Sequence, residues 1–152
     1  MTTFVLIPLL SILGTVISVV IGTIWYSIKT PMGRLHLESS GFFKNSKEEQ
    51  KRKIKEMKPK MWKYYLAQMF LAFLTSIFIA FIMIEQKSFG AGSMAVYGEV
   101  AAIWICFTVP AIGQSLLWGN TEVKLRWKKF FSDSLSNLVT LLAIIFVFSL
   151  II

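Results

Sequence analysis

The sequence predicts an all-α integral membrane protein, an up-and-down bundle of four transmembrane helices with short surface helices on the cytoplasmic side. Two observations carry that expectation. Four apolar runs, roughly 4–26, 61–84, 96–118 and 131–152, fill most of the 152 residues. A helix rises about 1.5 Å per residue, so about 20 apolar residues cross a hydrocarbon core about 30 Å thick. Nearly all the cations, second, sit in two of the three gaps. Ten of the sixteen Lys and Arg lie between Lys29 and Lys60, with Lys63 just beyond, and four more between Lys124 and Lys129.

Composition agrees. The hydrophobic fraction is 55% and the mean hydropathy +0.65, above the 45–50% or so typical of soluble domains. The chain reads as one domain, residues 1–152, because the only sizeable polar segment, 27–60, is too polar to bury a core. Basic short loops stay cytoplasmic, so both termini and the 85–95 loop are expected outside and the basic loops inside. The net charge of +8 therefore points to anionic lipid headgroups and not to nucleic acid. The lone Cys106 falls in the third run and cannot pair within the chain. The first run has no basic stretch ahead of it and no convincing cleavage site, so it is expected to remain as a span.

The first span carries Gly14, Ser18 and Gly22 at four-residue spacing, one small-residue face on which a second helix can approach closely. Pro8 lies near its outer end, where a missing donor does least damage. Trp25 and Tyr26 close it as interface anchors. In the 27–60 loop, Thr30–Phe43 mixes apolar and polar residues as an interfacial element does. Ser46 and Glu49 then form a capping-box pattern that opens a charged helix over 47–57. The second span begins with the aromatic anchor Trp62. It repeats the small-residue spacing at Ala72, Ser76 and Ala80, the expected partners of the first span. Pro110 frees a carbonyl in the third span and predicts a kink, with Gly113 close by; Trp118 anchors its inner end. The fourth span starts polar, with Ser132, Asp133, Ser136, Asn137 and Thr140, and then runs apolar.

Several stretches resemble a known family. Gly22-Thr-Ile-Trp25-Tyr26-Ser27, followed by Gly33 and Gly41, is similar to the opening motif of the DUF1761 family of small bacterial membrane proteins. The stretch 57–67 resembles that family's lead into its second helix, and 118–137, with Asp133 early in the last helix, its lead into the fourth. The basic segment 44–60 departs from the family pattern. The resemblance implies a four-helix integral membrane protein and implies no activity.

Ionisable groups at membrane depth are the natural functional candidates. Asp133 and Asn137, four apart, share a helix face; with Ser136, Thr140, Gln68 and Gln114 they form a candidate polar path open to the cytoplasm. Asp133 also has possible partners in Lys128 and Lys129. On the outer side Glu99 is expected to meet Lys87. His36 and Glu38 are too few for a metal site. No nucleophile–base set and no phosphate-binding glycine loop is present, so neither an enzyme nor a cofactor is expected. Two readings follow. One is a small oligomeric transporter or channel subunit using the Asp133–Asn137 stripe. The other is a non-transporting scaffold or partner subunit whose basic loop, through residues such as Lys51, Arg52, Lys53 and Lys55, contacts anionic lipid or another protein.

Overall fold

A computed structural model of the chain describes residues 3–39, 47–90, 92–118 and 123–152. Gly41 and Ser46 lie outside them, as do the side chains of Lys51 and Lys53. The described residues form six α-helices: α1 (Thr3–Trp25), α2 (Pro31–Ser39), α3 (Lys47–Ser88), α4 (Ser93–Ile103), α5 (Val109–Leu117) and α6 (Val123–Ser149). A π turn, Trp104–Thr108, joins α4 to α5, and no strand occurs among the described residues. Four stretches are long and apolar enough to cross a membrane: Val5–Trp25, Tyr65–Ser88, Met94–Leu117 and Val123–Ser149.

These four alternate in direction. At one end Trp25 of α1 and Tyr26 just after it meet Ser132 and Asp133 of α6, and Leu117 of α5 meets Arg126. At the other end Gln86 of α3 donates to Glu99 of α4 over 2.8 Å, and Lys87 bonds the Ile152 carbonyl oxygen. Glu99 therefore pairs with Gln86, not with Lys87: one residue along a helix turns a side chain about 100°, and Lys87 points across to the end of α6.

The core lies where α1, α3, α4 and α6 converge. Leu10, Ile79, Ile144, Ile145 and Phe148 are fully enclosed, beside Ala80, Met83, Val96, Val100 and Leu141. Val5, Leu9, Ile12, Phe70, Phe78, Phe81 and Phe146 face outward. Lipid tails are as apolar as those side chains, so helix association here rests on packing and close approach. Four of the inner hydroxyls close onto their own helices: Ser11 donates to Ile7, Thr15 to Ser11, Ser76 to Ala72 and Thr140 to Ser136, all at 2.7–2.8 Å. They are satisfied without a polar passage.

The small-residue faces of α1 and α3 do meet, at one point. Gly14 backs onto Ser76, and Ala72, Ser76 and Ala80 are all buried. A methyl group at Gly14 would stand 2.5 Å from Ser76 Oγ, 2.8 Å from its Cβ and 3.0 Å from Phe148 Cζ, whereas one at Gly22 would have nothing within 4 Å. Gly14→Ala is accordingly expected to cost about 1–3 kcal/mol by overpacking. Gly22→Ala should be neutral or stabilise by up to about 1 kcal/mol through helix propensity. Unfolding by sodium dodecyl sulfate in mixed micelles compares the two, and equal effects would show that close approach at Gly14 does not seat α1 on α3.

Two expected boundaries move. The charged segment is no separate surface helix: α3 runs unbroken for 42 residues, about 63 Å at 1.5 Å per residue, twice a hydrocarbon core. Lys, Glu and Met are strong helix formers, and they flank Pro59 closely enough to carry the helix through the single donor it removes. The basic segment 124–129 is likewise no loop, because α6 already starts at Val123. In the third span the break takes the form of a π turn. The Val109 N–H reaches back five residues to the Trp104 carbonyl, just ahead of Pro110.

Candidate functional site

The chemistry-bearing side chains gather where α1 ends, α2 lies and α6 begins. The turn that places α2 is built from Thr30. Its hydroxyl oxygen accepts the Gly33 N–H over 3.0 Å, and its backbone carbonyl accepts the Arg34 N–H over 3.1 Å. Pro31 follows as the first helical residue, its missing N–H being one that no helix start would use. The Thr30 hydroxyl donates back to the Trp25 carbonyl at 2.7 Å, which folds the turn tightly over the first residues of α2. Gly33 fills the crossing: it is buried, and a Cβ there would fall on the Ser27 carbonyl.

This turn brings His36 to α6. Its ring stands edge-on to Tyr26, centroids 5.2 Å apart at 66°. The Tyr26 hydroxyl donates to Asp133 Oδ1 over 2.9 Å, while Lys129 Nζ donates to Asp133 Oδ2 over 2.5 Å. Lys129 Nζ also lies 3.3 Å from His36 Nδ1. Only a neutral ring accepts at Nδ1 from an ammonium. Partial burial, and then the Lys129 charge, hold His36 below its ordinary value of 6.5, with Asp133 opposing. The Trp25 indole N–H donates to Ser132 Oγ at 3.3 Å, and Ser136 sits beside the Tyr26 hydroxyl. The side chains of Lys129 and Asp133 are 16% and 20% exposed, so the carboxylate is neutralised within a mostly covered pair, with the exposed Tyr26 and His36 at its edge. As a mobile carrier it has little freedom.

The stripe read along α6 thus divides. Ser132, Asp133 and Ser136 turn toward α1 and α2; Thr140 is half-buried and bonded to its own helix; Asn137 faces out. Gln68 and Gln114 also face out, and none of the three amides is brought to Asp133. Trp62 and Trp118 are exposed, as interface anchors are. Trp25 and Tyr26 bind the start of α6. Among the described residues no three His, Cys, Asp or Glu converge as metal ligands, and Glu38 turns away from the network.

Glu38 belongs to a neighbouring cleft of about 460 Å³, formed by the turn after α1, by α2 and by the first turns of α6. Lys29, Arg34 and Lys128 line it beside Glu38, with Pro31, Met32 and Leu35 as its apolar walls. Arg34 Nε donates to the Ile28 carbonyl over 3.3 Å, fixing the base of its side chain. Three cations thus stand against one carboxylate at the end of a bundle of membrane-length helices. The basic character of this end was legible in the sequence; the cleft itself depends on how α2 folds back.

One family model matches the chain: a protein of unknown function, DUF1761, over residues 9–149. No curated protein and no solved structure matches it.

Proposed function

We propose a function for this chain, which belongs to the DUF1761 family, from its own residues: a membrane scaffold or partner subunit that holds anionic phosphate headgroups at its basic end and catalyses no reaction. The cleft of Lys29, Arg34 and Lys128 carries this reading. Each cation near an anionic surface contributes about 1 kcal/mol, so three of them change affinity by about 100-fold. The positive-inside rule puts this end at the cytoplasmic leaflet, with the start of α1 and the end of α6 on the opposite side. The Tyr26–Asp133–Lys129–His36 network fits a positioning role for Asp133, because it ties α6 to the end of α1 and, through His36, to α2, the walls of the cleft.

The test is the phospholipid that stays with the protein through purification in mild detergent. Wild-type protein is expected to retain anionic phospholipid above its share of the membrane. A Lys29→Gln, Arg34→Gln, Lys128→Gln variant of unchanged helix content should lose that enrichment. Equal retention by the two proteins would remove the cleft from the proposal.

One observation favours a second reading, an oligomeric transporter or channel subunit. Gln68, Gln114 and Asn137 are exposed within membrane-length helices, where another copy could cover them. If proteoliposomes of the wild type leak ions no faster than protein-free vesicles, this reading fails.

A further inference from the structure

We propose that α2 is a pH-sensitive strap, docked on α6 while the His36 ring is neutral and lifted from it when the ring takes up a proton. His36 is the single histidine of the chain, and imidazole is the side chain whose charge ordinarily changes near neutral pH. It stands where a change of charge must be felt, 3.3 Å from the Lys129 ammonium.

The strap is weak by construction. α2 has nine residues, and isolated helices shorter than about 12–15 residues are marginal in water, so its backbone hydrogen bonds depend on docking. Its first turn is tied to the end of α1 through Thr30 and Gly33. About one turn further on, His36 carries the helix onto α6, with its ring edge-on to Tyr26 and its Nδ1 facing Lys129 Nζ. Among the described residues, the titratable groups that face the ring are Tyr26 from the end of α1 and Lys129 and Asp133 from α6. Arg34 and Glu38 of α2 itself line the neighbouring cleft.

A neutral ring accepts from the ammonium at Nδ1; a protonated ring has donors at both nitrogens and no acceptor. Protonation therefore turns a bond into an approach of two cations. A flip of the ring replaces Nδ1 by a carbon but leaves the charge in place. Asp133 attracts that charge, yet both its oxygens already accept, from Tyr26 and from Lys129. A ring swung into solvent escapes, and it then abandons Tyr26 and Lys129 together, the contacts that seat this part of α2. Partial burial, and then Lys129, hold the docked ring below its ordinary value of 6.5, so the lifted helix binds the proton more tightly. Docking is therefore at full strength above pH 6.5 and weakens as the pH falls below it, toward the lower value of the docked ring. Lifting α2 carries Arg34 away from Lys128 and opens the cleft; control of headgroup binding rests on the phosphate reading given above, whereas the strap itself does not.

Hydrogen exchange of the full chain in neutral detergent without added lipid, read as protection factors at about pH 7.5 and about pH 5.5, on either side of the ordinary imidazole range, tests the strap. In the wild type the amides of residues 35–39 should lose protection at the lower pH, while those of 141–148, around the fully enclosed Ile144, Ile145 and Phe148, keep theirs. His36→Gln, uncharged at both, should protect 35–39 equally at the two. Should that variant not dock α2 at all, the wild-type ring decides: its titration followed by carbon NMR should have a midpoint below 6.5 that coincides with the loss of protection. Four outcomes would overturn the strap: wild-type protection of 35–39 that pH leaves unchanged, an equal loss in His36→Gln, a loss shared by 141–148, or a ring midpoint at or above 6.5. A second arm adds dioleoyl phosphatidylglycerol. Lipid binding that weakens in acid together with protection supports both strap and cleft; protection that falls while lipid binding holds supports the strap and removes the cleft as the seat of the lipid.

Discussion

Lys129→Met is expected to destabilise the protein by about 3 kcal/mol, the lower end of what breaking a buried ion pair costs. Its 2.5 Å bond to Asp133 is about four-fifths covered, and without it the carboxylate keeps the Tyr26 hydroxyl as its one remaining partner. The destabilisation comes from the stranded charge more than from the lost attraction. Asp133→Leu added to Lys129→Met should therefore recover most of the loss, since an apolar pair of similar size often replaces an ion pair without penalty. Unfolding of the single and double variants in mixed micelles reads the difference. A double variant no more stable than Lys129→Met would mean that Lys129 acts elsewhere, for instance through His36.

Gly33→Ala is expected to cost about 3 kcal/mol or more, the upper range of overpacking, and to release α2 from the bundle. The added methyl would meet backbone, the Ser27 carbonyl, which cannot rotate aside as a side chain can. Release of α2 separates His36 from Tyr26 and from Lys129 and opens the Lys29–Arg34–Lys128 cleft. Hydrogen exchange of the amides of residues 31–39 measures it directly. Protection equal to the wild type in Gly33→Ala would contradict the tight turn over Gly33. The same variant should also lose anionic lipid although every cation is retained, which ties the turn to the cleft.

The four spans were legible in the sequence because span length and apolar composition are local properties, set by the thickness of the solvent. So was a partner for Asp133 on its own helix, readable as Lys128 or Lys129 and found at Lys129, four residues away. The other half of that network was not. Tyr26 and Asp133 are 107 residues apart, and His36 and Lys129 are 93 apart. Such pairs depend on how α1, α2 and α6 are set against one another, and no spacing along one helix encodes that. Tyr26 was readable as an interface aromatic; its hydroxyl's partner was not. The signal that could have found it is the polar start of α6, since a carboxylate one turn inside an apolar helix needs a donor from a neighbour. Two other misses have local causes. The charged helix over 47–57 and the second span read as separate elements, whereas α3 runs through both, passing Pro59 between strong helix formers. Gly113 reads as part of a proline kink, whereas its consequence is an empty volume against Phe130.

A physical division of labour emerges across the bundle. The far end is joined by Gln86 to Glu99 and by Lys87 to the end of α6, and the middle is apolar and packed around Phe148. The basic end presents concave surfaces with charge in them, the α2 cleft on one side of α6 and a groove against α5 on another. Both depend on residues with little or no side chain at a crossing, Gly33 and Gly113. Their requirements are opposite: contact at Gly33, space at Gly113.

The most direct measurement is an equilibrium titration of the purified protein with phosphatidylglycerol, wild type against the Lys29→Gln, Arg34→Gln, Lys128→Gln variant, at low and at high salt. Binding by the wild type that weakens with salt, together with a variant about 100-fold weaker at low salt and nearly indifferent to salt, is the expected result. Equal affinities in the two proteins, or a wild-type affinity that salt leaves unchanged, would show that the basic end of this bundle is no phosphate receptor.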